Sequence, residues 1–445
     1  MKKTFLMLLL CFSAIFCSGA EKSDSLKIKE KHKKGWNIGG LPVVAYDTDV
    51  GLKYGIILNL FNFGDTLYPK YRHNIYMEWS RTTKGSGINQ IIYDSKYLIP
   101  KVRLTAEANY LTEKALDFYG FNGYKALYEA GYEDDNDLEN YRSRLYYRQE
   151  RKLLRFRTDF QGPITSEKFR WLLGASVYSV KTDTVDLNKL NEGKNKDDML
   201  PAVNGGLYGK YAYQWGIIPK DQVNGGDAYM LRLGVVIDTR DNEPKANSGV
   251  FTDAFFISAP GFLGNKYSFA KLHLTHRQYF TILSPNLNFA YRLGYQSTLW
   301  GTTPYYLLPV LFKAGYPEDR FGLGGSKTMR GILRNRVVGE DTFYGNTEFR
   351  WVFYRGIHFN QNIYLALNAF SDFGMVPRDY EFNTSKVPEE EMYHFPDVNE
   401  KLHTSLGGGF RVALNQNFIV AIDYGRALDK RDGTSGMYIN LNWLF

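Results

Sequence analysis

From residue 36 onward, apolar and polar side chains alternate with a period of two, as in strands whose two faces meet different surroundings. In 71-83, Ile75, Met77 and Trp79 share one face, and Asn74, Glu78 and Ser80 the other. The alternation predicts strands over 38-47, 50-62, 71-83, 87-98, 101-113, 142-162, 168-183 and 228-240. It continues over 248-259, 266-282, 284-300, 343-356, 362-373, 403-413, 416-426 and 436-445, which makes sixteen. The connections at 63-70, 99-100, 163-167, 241-247, 283, 357-361 and 414-415 are short. The long ones, at 114-141, 184-227, 301-342 and 374-402, all fall at the opposite strand ends. That arrangement predicts an all-β fold, a sixteen-stranded antiparallel transmembrane β-barrel over residues 36-445. In the last strand Met437, Ile439, Leu441, Trp443 and Phe445 form an oily face assigned to lipid, with Trp443 and Phe445 as the aromatic end signal of the barrel.

Composition narrows the class. No mature segment approaches the length of an apolar membrane helix, which suits both a soluble secreted enzyme and a membrane barrel. The 34 Tyr, 30 Phe and 7 Trp favour the barrel, whose wall carries aromatic girdles at both interfaces. Residues 1-20 read as a secretory signal peptide: Met1-Lys2-Lys3, a short apolar run from Phe5 to Phe16, then Ser18-Gly19-Ala20. Cys11 and Cys17, the two cysteines, leave with it, so the mature chain has no disulfide or thiolate metal site. Residues 21-35 form a short lysine-rich leader. A net charge of +8 is modest for this length and gives no reason to expect nucleic acid.

The long stretch at 301-342 contains the densest chemistry, Phe321-Gly322-Leu323-Gly324-Gly325-Ser326-Lys327-Thr328-Met329-Arg330-Gly331. Its glycines permit a backbone that doubles back. Downstream, Glu348 shares a strand face with Asn346 and Arg350, and Asp372 shares one with Tyr364 and Asn368. Both acids therefore point away from the oily face, on adjacent strands. Two carboxylates that close raise each other's pKa unless a cation lies between them. Arginine suits that place because its planar fork serves two carboxylates. Arg330, Glu348 and Asp372 are thus expected to form a lumen anchor. On spacing alone, an exposed glycine-rich loop beside two unrelated acids fits equally well.

The stretch from Phe321 to Gly325 and then Met329-Arg330-Gly331-Ile332 resembles the sixth-loop motif of the BamA/TamA-type surface-antigen (outer membrane protein 85) superfamily. The resemblance implies that this sixth extracellular loop folds into the lumen. It also implies that Arg330 contacts the inner wall at Glu348 and Asp372. Asp238-Thr239-Arg240-Asp241, with Pro244 and Gly249, is similar to a periplasmic turn signature of that family, and 41-46 to its first barrel strand. Two features depart from the pattern: Ile332 stands where an aromatic residue is usual, and 21-35 leaves no room for a POTRA domain.

The resemblance implies insertion, assembly or translocation of proteins or lipids at the outer membrane, through a seam between 38-47 and 436-445. The alternative is a passive pore or a structural subunit of another outer-membrane complex. Expected partners are outer-membrane lipid or lipopolysaccharide, and outer-membrane or periplasmic proteins supplying the POTRA role. No catalytic constellation, cofactor or metal site stands out. His273 and His276, three apart on a strand, point to opposite faces. Against a Walker loop, Ser326, not Gly, precedes Lys327, and no βα unit surrounds it. The acidic run 133-137 reads as a solvated loop.

Overall fold

The computed structural model describes residues 34–47, 51–65, 71–193, 195, 199–201, 205–243, 245–284, 286–315, 321–358, 361–414 and 418–445. The expected signal peptide, nearly all of the leader and Pro244 lie outside the described residues.

Sixteen strands form among the described residues. The first eight are β1 (Trp36–Asp47), β2 (Gly51–Asn62), β3 (His73–Thr82), β4 (Ser86–Ile99), β5 (Val102–Asp117), β6 (Arg148–Ser166), β7 (Phe169–Asp183) and β8 (Gly225–Asp238). The next five are β9 (Gly249–Ala259), β10 (Phe269–Thr281), β11 (Leu287–Gly301), β12 (Thr342–His358) and β13 (Gln361–Met375). The last three are β14 (His403–Leu414), β15 (Phe418–Ala427) and β16 (Ser435–Leu441). Each pairs antiparallel with its sequence neighbours, and β1 meets β16 to close the ring.

The period of two sorts the side chains. On β12, Asn346, Glu348 and Arg350 are buried in the lumen, while Phe349 and Trp351 stand exposed outside. Apolar residues on the outside and charges on the inside invert the pattern of a soluble core, as a lipid-facing wall requires. Val352 continues the inward face, and a bulge between Val352 and Tyr354 then leaves both Phe353 and Tyr354 exposed outside.

Three sequence expectations need correction. Residues 142-147 are not strand: Tyr146 N–H donates to the Ser143 carbonyl at 3.0 Å and Arg148 N–H to that of Leu145 at 3.1 Å, so the chain turns before β6. Opposite it, β5 runs on to Asp117 through a bulge between Glu113 and Leu116. The long connections are not merely polar loops. Those at 118–147, 184–224, 302–341 and 376–402 pack Tyr119, Tyr147, Tyr208, Trp215, Tyr305 and Tyr380 into one aromatic core across the barrel mouth.

The third correction concerns the carboxy-terminus. β16 ends at Leu441, and Trp443 and Phe445 do not face lipid. Asn442 adopts φ 67°, a left-handed conformation open to Asn, and its N–H donates to the Ile419 carbonyl at 2.8 Å. This single dihedral turns the tail into the lumen. There Trp443 packs among Val352, Tyr364, Ala366, Ala413 and Ile419, and Phe445 against Tyr279 and Ala290.

Candidate functional site

The connection between β11 and β12 descends into the lumen as a compact hairpin. Bridges join Leu323 to Val337 and Gly325 to Met329. Gly324 and Gly325 take φ of +106° and +75°, and Gly325 N–H donates to the Ile332 carbonyl at 2.9 Å. The Thr328 hydroxyl accepts from Gly324 N–H and donates to the Gly324 carbonyl, both at 2.9 Å. Asn335 Oδ1 accepts from Gly322 N–H at 2.7 Å. Phe321 lies apart from the acids, half-buried under the Arg334 guanidinium at 4.6 Å.

Arg330, at the hairpin's end, is fully buried. Its Nε donates to Asp372 Oδ2 at 2.8 Å, Nη2 to Asp372 Oδ1 at 2.9 Å, and Nη1 to Glu348 Oε1 at 2.7 Å. Its backbone N–H also reaches Asp372 Oδ2, at 2.9 Å. The guanidinium lies 3.4 Å over the Phe370 ring, a cation–π contact stacked on the bidentate pair. The structure therefore brings together the three residues singled out from the sequence.

Sequence reasoning missed their company. Asp423 on β15 comes within 3.6 Å of Arg330 and is itself held by Arg411 Nη2 at 2.9 Å. Arg350 donates to Glu348 Oε2 at 2.7 Å, and Asn346 to Asp372 Oδ1 at 2.7 Å. Three arginines thus interleave with three carboxylates, so each buried charge meets an opposite one. The signal lay in the alternation: Asp423 and Arg411 occupy the same strand parity as Ala421 and Ala413, which are buried.

Glycines on the facing wall make room for the hairpin. A Cβ at Gly331, where φ is +92°, would stand 2.5 Å from Gly425 C, and one at Gly425 would stand 2.5 Å from the Arg330 carbonyl oxygen. A Cβ at Gly374 would stand 2.5 Å from Met329 Sδ. Gly331 N–H donates to the Tyr438 hydroxyl on β16 at 3.1 Å.

The turned-in tail joins the same network. Arg350 donates through Nη2 to the Phe445 carbonyl at 3.0 Å and lies 4.7 Å from the Trp443 ring and 4.8 Å from that of Phe445. Arg411 lies 4.8 Å from the Trp443 ring. At the short-turn end, Asp238 and Arg240 form a bidentate pair at 2.9 Å, and Asp241 Oδ1 accepts from Asn247 N–H at 2.9 Å. His273 faces the lumen 3.7 Å from Asp253, whereas His276 meets Thr252 and Tyr291, so the two share no site.

An apolar outer wall, a charged lumen and a loop pinned inside by a shared arginine define a loop-plugged transmembrane β-barrel. Residues 84–443 match the Omp85 superfamily domain, and the chain belongs to that superfamily. A comparison with curated proteins gave no match. Among solved structures, the chain is similar to BamA from Haemophilus ducreyi lacking POTRA domains 1-3, with a TM-score of 0.52 and 13% identity over 99% of this chain and 78% of that one. It is also similar to CdiB from Escherichia coli, with a TM-score of 0.53 and 9% identity. That alignment covers 93% of this chain and 64% of CdiB, so the chain spans less than two thirds of that relative. At these identities the likeness is one of fold.

Proposed function

We propose that the chain, delivered by the signal peptide at 1-20, resides in an outer membrane and assists insertion or translocation of proteins or lipids there. The long-loop end then faces outward and the short turns face the periplasm. The observation that carries this reading is the seam. Among the described residues, β1 and β2 share twelve registered pairs, whereas β1 and β16 share one, Asp47↔Tyr438. A wall with one weak closure offers unpaired strand edges to an incoming chain. Gly39, Gly40 and Pro42 weaken β1 further, and Pro42 has no N–H to give. Outer-membrane or periplasmic proteins that receive clients would be its partners.

Depletion followed by outer-membrane proteomics tests this role: levels of other barrel proteins should fall, and unchanged levels and topology would count against it. The second reading, a passive pore or structural subunit, has the aromatic core across the mouth against its pore form. Planar-bilayer recordings of the purified barrel should accordingly give closed membranes with rare openings, and a steady large conductance would restore the pore.

A further inference from the structure

The outer wall is not uniform around the ring. At the long-loop end of β2–β7, one row of outward positions runs through consecutive registered partners: Tyr54↔Arg81, Arg81↔Gly87, Gly87↔Thr112, Thr112↔Lys152 and Lys152↔Lys181. Lys152 and Lys181 are exposed, directly opposite one another on neighbouring strands. Lys114 is exposed two residues above Thr112 on the same face. Glycine at 87 leaves space for Arg81: a Cβ there would sit 3.3 Å from Arg81 Cζ and 2.6 Å from Thr112 Oγ1. From β3 to β7 the row spans four interstrand steps, about 19 Å.

This row is costly as it stands. Like charges directly opposite in a sheet repel. Among the described residues, Arg81, Lys114 and Lys181 have no carboxylate partner in an ion pair, and Lys152 has Glu150 at 2.8 Å. Glu150 and Asp183 face each other one row farther from the apolar wall, and Asp183 accepts from Thr184 N–H at 2.7 Å. Two residues nearer the middle of the wall stand Trp79, Tyr110 and Leu154, and below them Ile91, Phe156 and Leu173, all exposed. Amphipathic rings mark the membrane interface, so the cations above Trp79 and Tyr110 lie at headgroup depth. Across the barrel, the outward residues Ser258, Trp300, Phe343, Phe373 and Thr404 carry no charge, and Arg426 on β15 is an isolated outward cation with Leu406 opposite it.

We propose that the long-loop end of the β3–β7 outer wall docks the phosphorylated headgroup of an anionic outer-leaflet lipid, held by Arg81, Lys114, Lys152 and Lys181. Phosphate oxygens between Lys152 and Lys181 turn a repulsive pair into two attractions, while the acyl chains lie along Leu154 and Phe156. This assignment rests on the outer-membrane placement proposed above.

The test uses the full mature chain in detergent, with a bis-phosphorylated acylated disaccharide lipid as probe, the same lipid without phosphates as control, and inorganic phosphate as competitor. Native mass spectrometry and a titration should show retention of the phosphorylated lipid and little of the dephosphorylated one. Lys152→Gln with Lys181→Gln should weaken binding about fivefold per lysine removed. Arg426→Gln, an outward cation on β15, should change nothing. Heat-modifiable migration reports that each variant is a folded barrel, and wild-type retention decides the matter if the double variant does not fold. The assignment is overturned if wild type retains no phosphorylated lipid, if both lipids bind alike, if the folded double variant binds as wild type does, or if excess phosphate displaces the lipid. A wild-type chain absent from the outer-membrane fraction would instead defeat the membrane placement.

Discussion

The backbone N–H of Gly331 donates to the hydroxyl of Tyr438 at 3.1 Å, and Tyr438 is the residue registered with Asp47 where β1 meets β16. The pinned loop and the closure of the barrel thus share one side chain. Tyr438→Phe keeps the ring and removes the bond. The expected outcome is slower disulfide formation between cysteines placed across the closure on β1 and β16, read as gel mobility, with barrel yield unchanged.

Arg330 holds Glu348 and Asp372 in a fully buried site. Arg330→Ala leaves Asp372 without its arginine and Glu348 with Arg350 alone, and should cost about 3–5 kcal/mol, as breaking a buried ion pair does. Urea unfolding of the detergent-solubilised barrel measures it. Arg330→Lys should restore only part, because a point charge cannot fork between two acids. An Arg330→Ala barrel as stable as wild type would remove the anchor from the account.

The close approach of Gly331 and Gly425 makes both intolerant of a side chain. Gly331 also holds φ at +92°, and its added Cβ would meet Gly425 backbone rather than a flexible side chain. Gly331→Ala should therefore lower refolding yield on heat-modifiability gels. Gly264, with φ +89° and open space around it, is the control for conformation without the clash. Gly264→Ala should cost about 1 kcal/mol.

The inward tail depends on Asn442 and on the pocket for Trp443. Asn442→Gly should be tolerated, since glycine takes positive φ freely, whereas Asn442→Val should release the tail. Trp443→Ala should cost about 3–5 kcal/mol if the cavity stays open. Carboxypeptidase sensitivity of the folded barrel reads the tail directly: wild type should resist and Asn442→Val should be trimmed.

Acid should loosen the cap. His394, in the connection between β13 and β14, is pushed down to about 4 by burial, with Arg142 and Lys210 nearby adding to the effect. In the unfolded chain it titrates near its ordinary value, so as pH falls through that value the unfolded state gains a proton that the folded state refuses. Stability from this residue is whole above about 6.5 and is lost progressively down to about 4, by up to roughly 3 kcal/mol. Hydrogen exchange of 376–402 between neutral pH and pH 4 should rise in wild type, and His394→Phe should flatten that rise.

Much of this was legible along the chain because a strand's side-chain parity is local. Alternation alone placed sixteen strands, sided the loops, and pointed Glu348 and Asp372 inward before any fold was at hand. What it could not reach is whatever depends on the ring closing. Asp423, Arg411 and Gly425 come to Arg330 because β14 and β15 curve round to meet a loop that left the wall before β12. The aromatic core of the cap likewise joins connections far apart in sequence, whose tyrosines read as polar loop until they pack. At the carboxy-terminus the period of two persists through Phe445, yet one positive φ at Asn442 exchanges lipid for lumen. Periodicity determines which side chains stand together; only the tertiary structure decides which surroundings they meet, because one backbone torsion can reverse a face without changing the pattern.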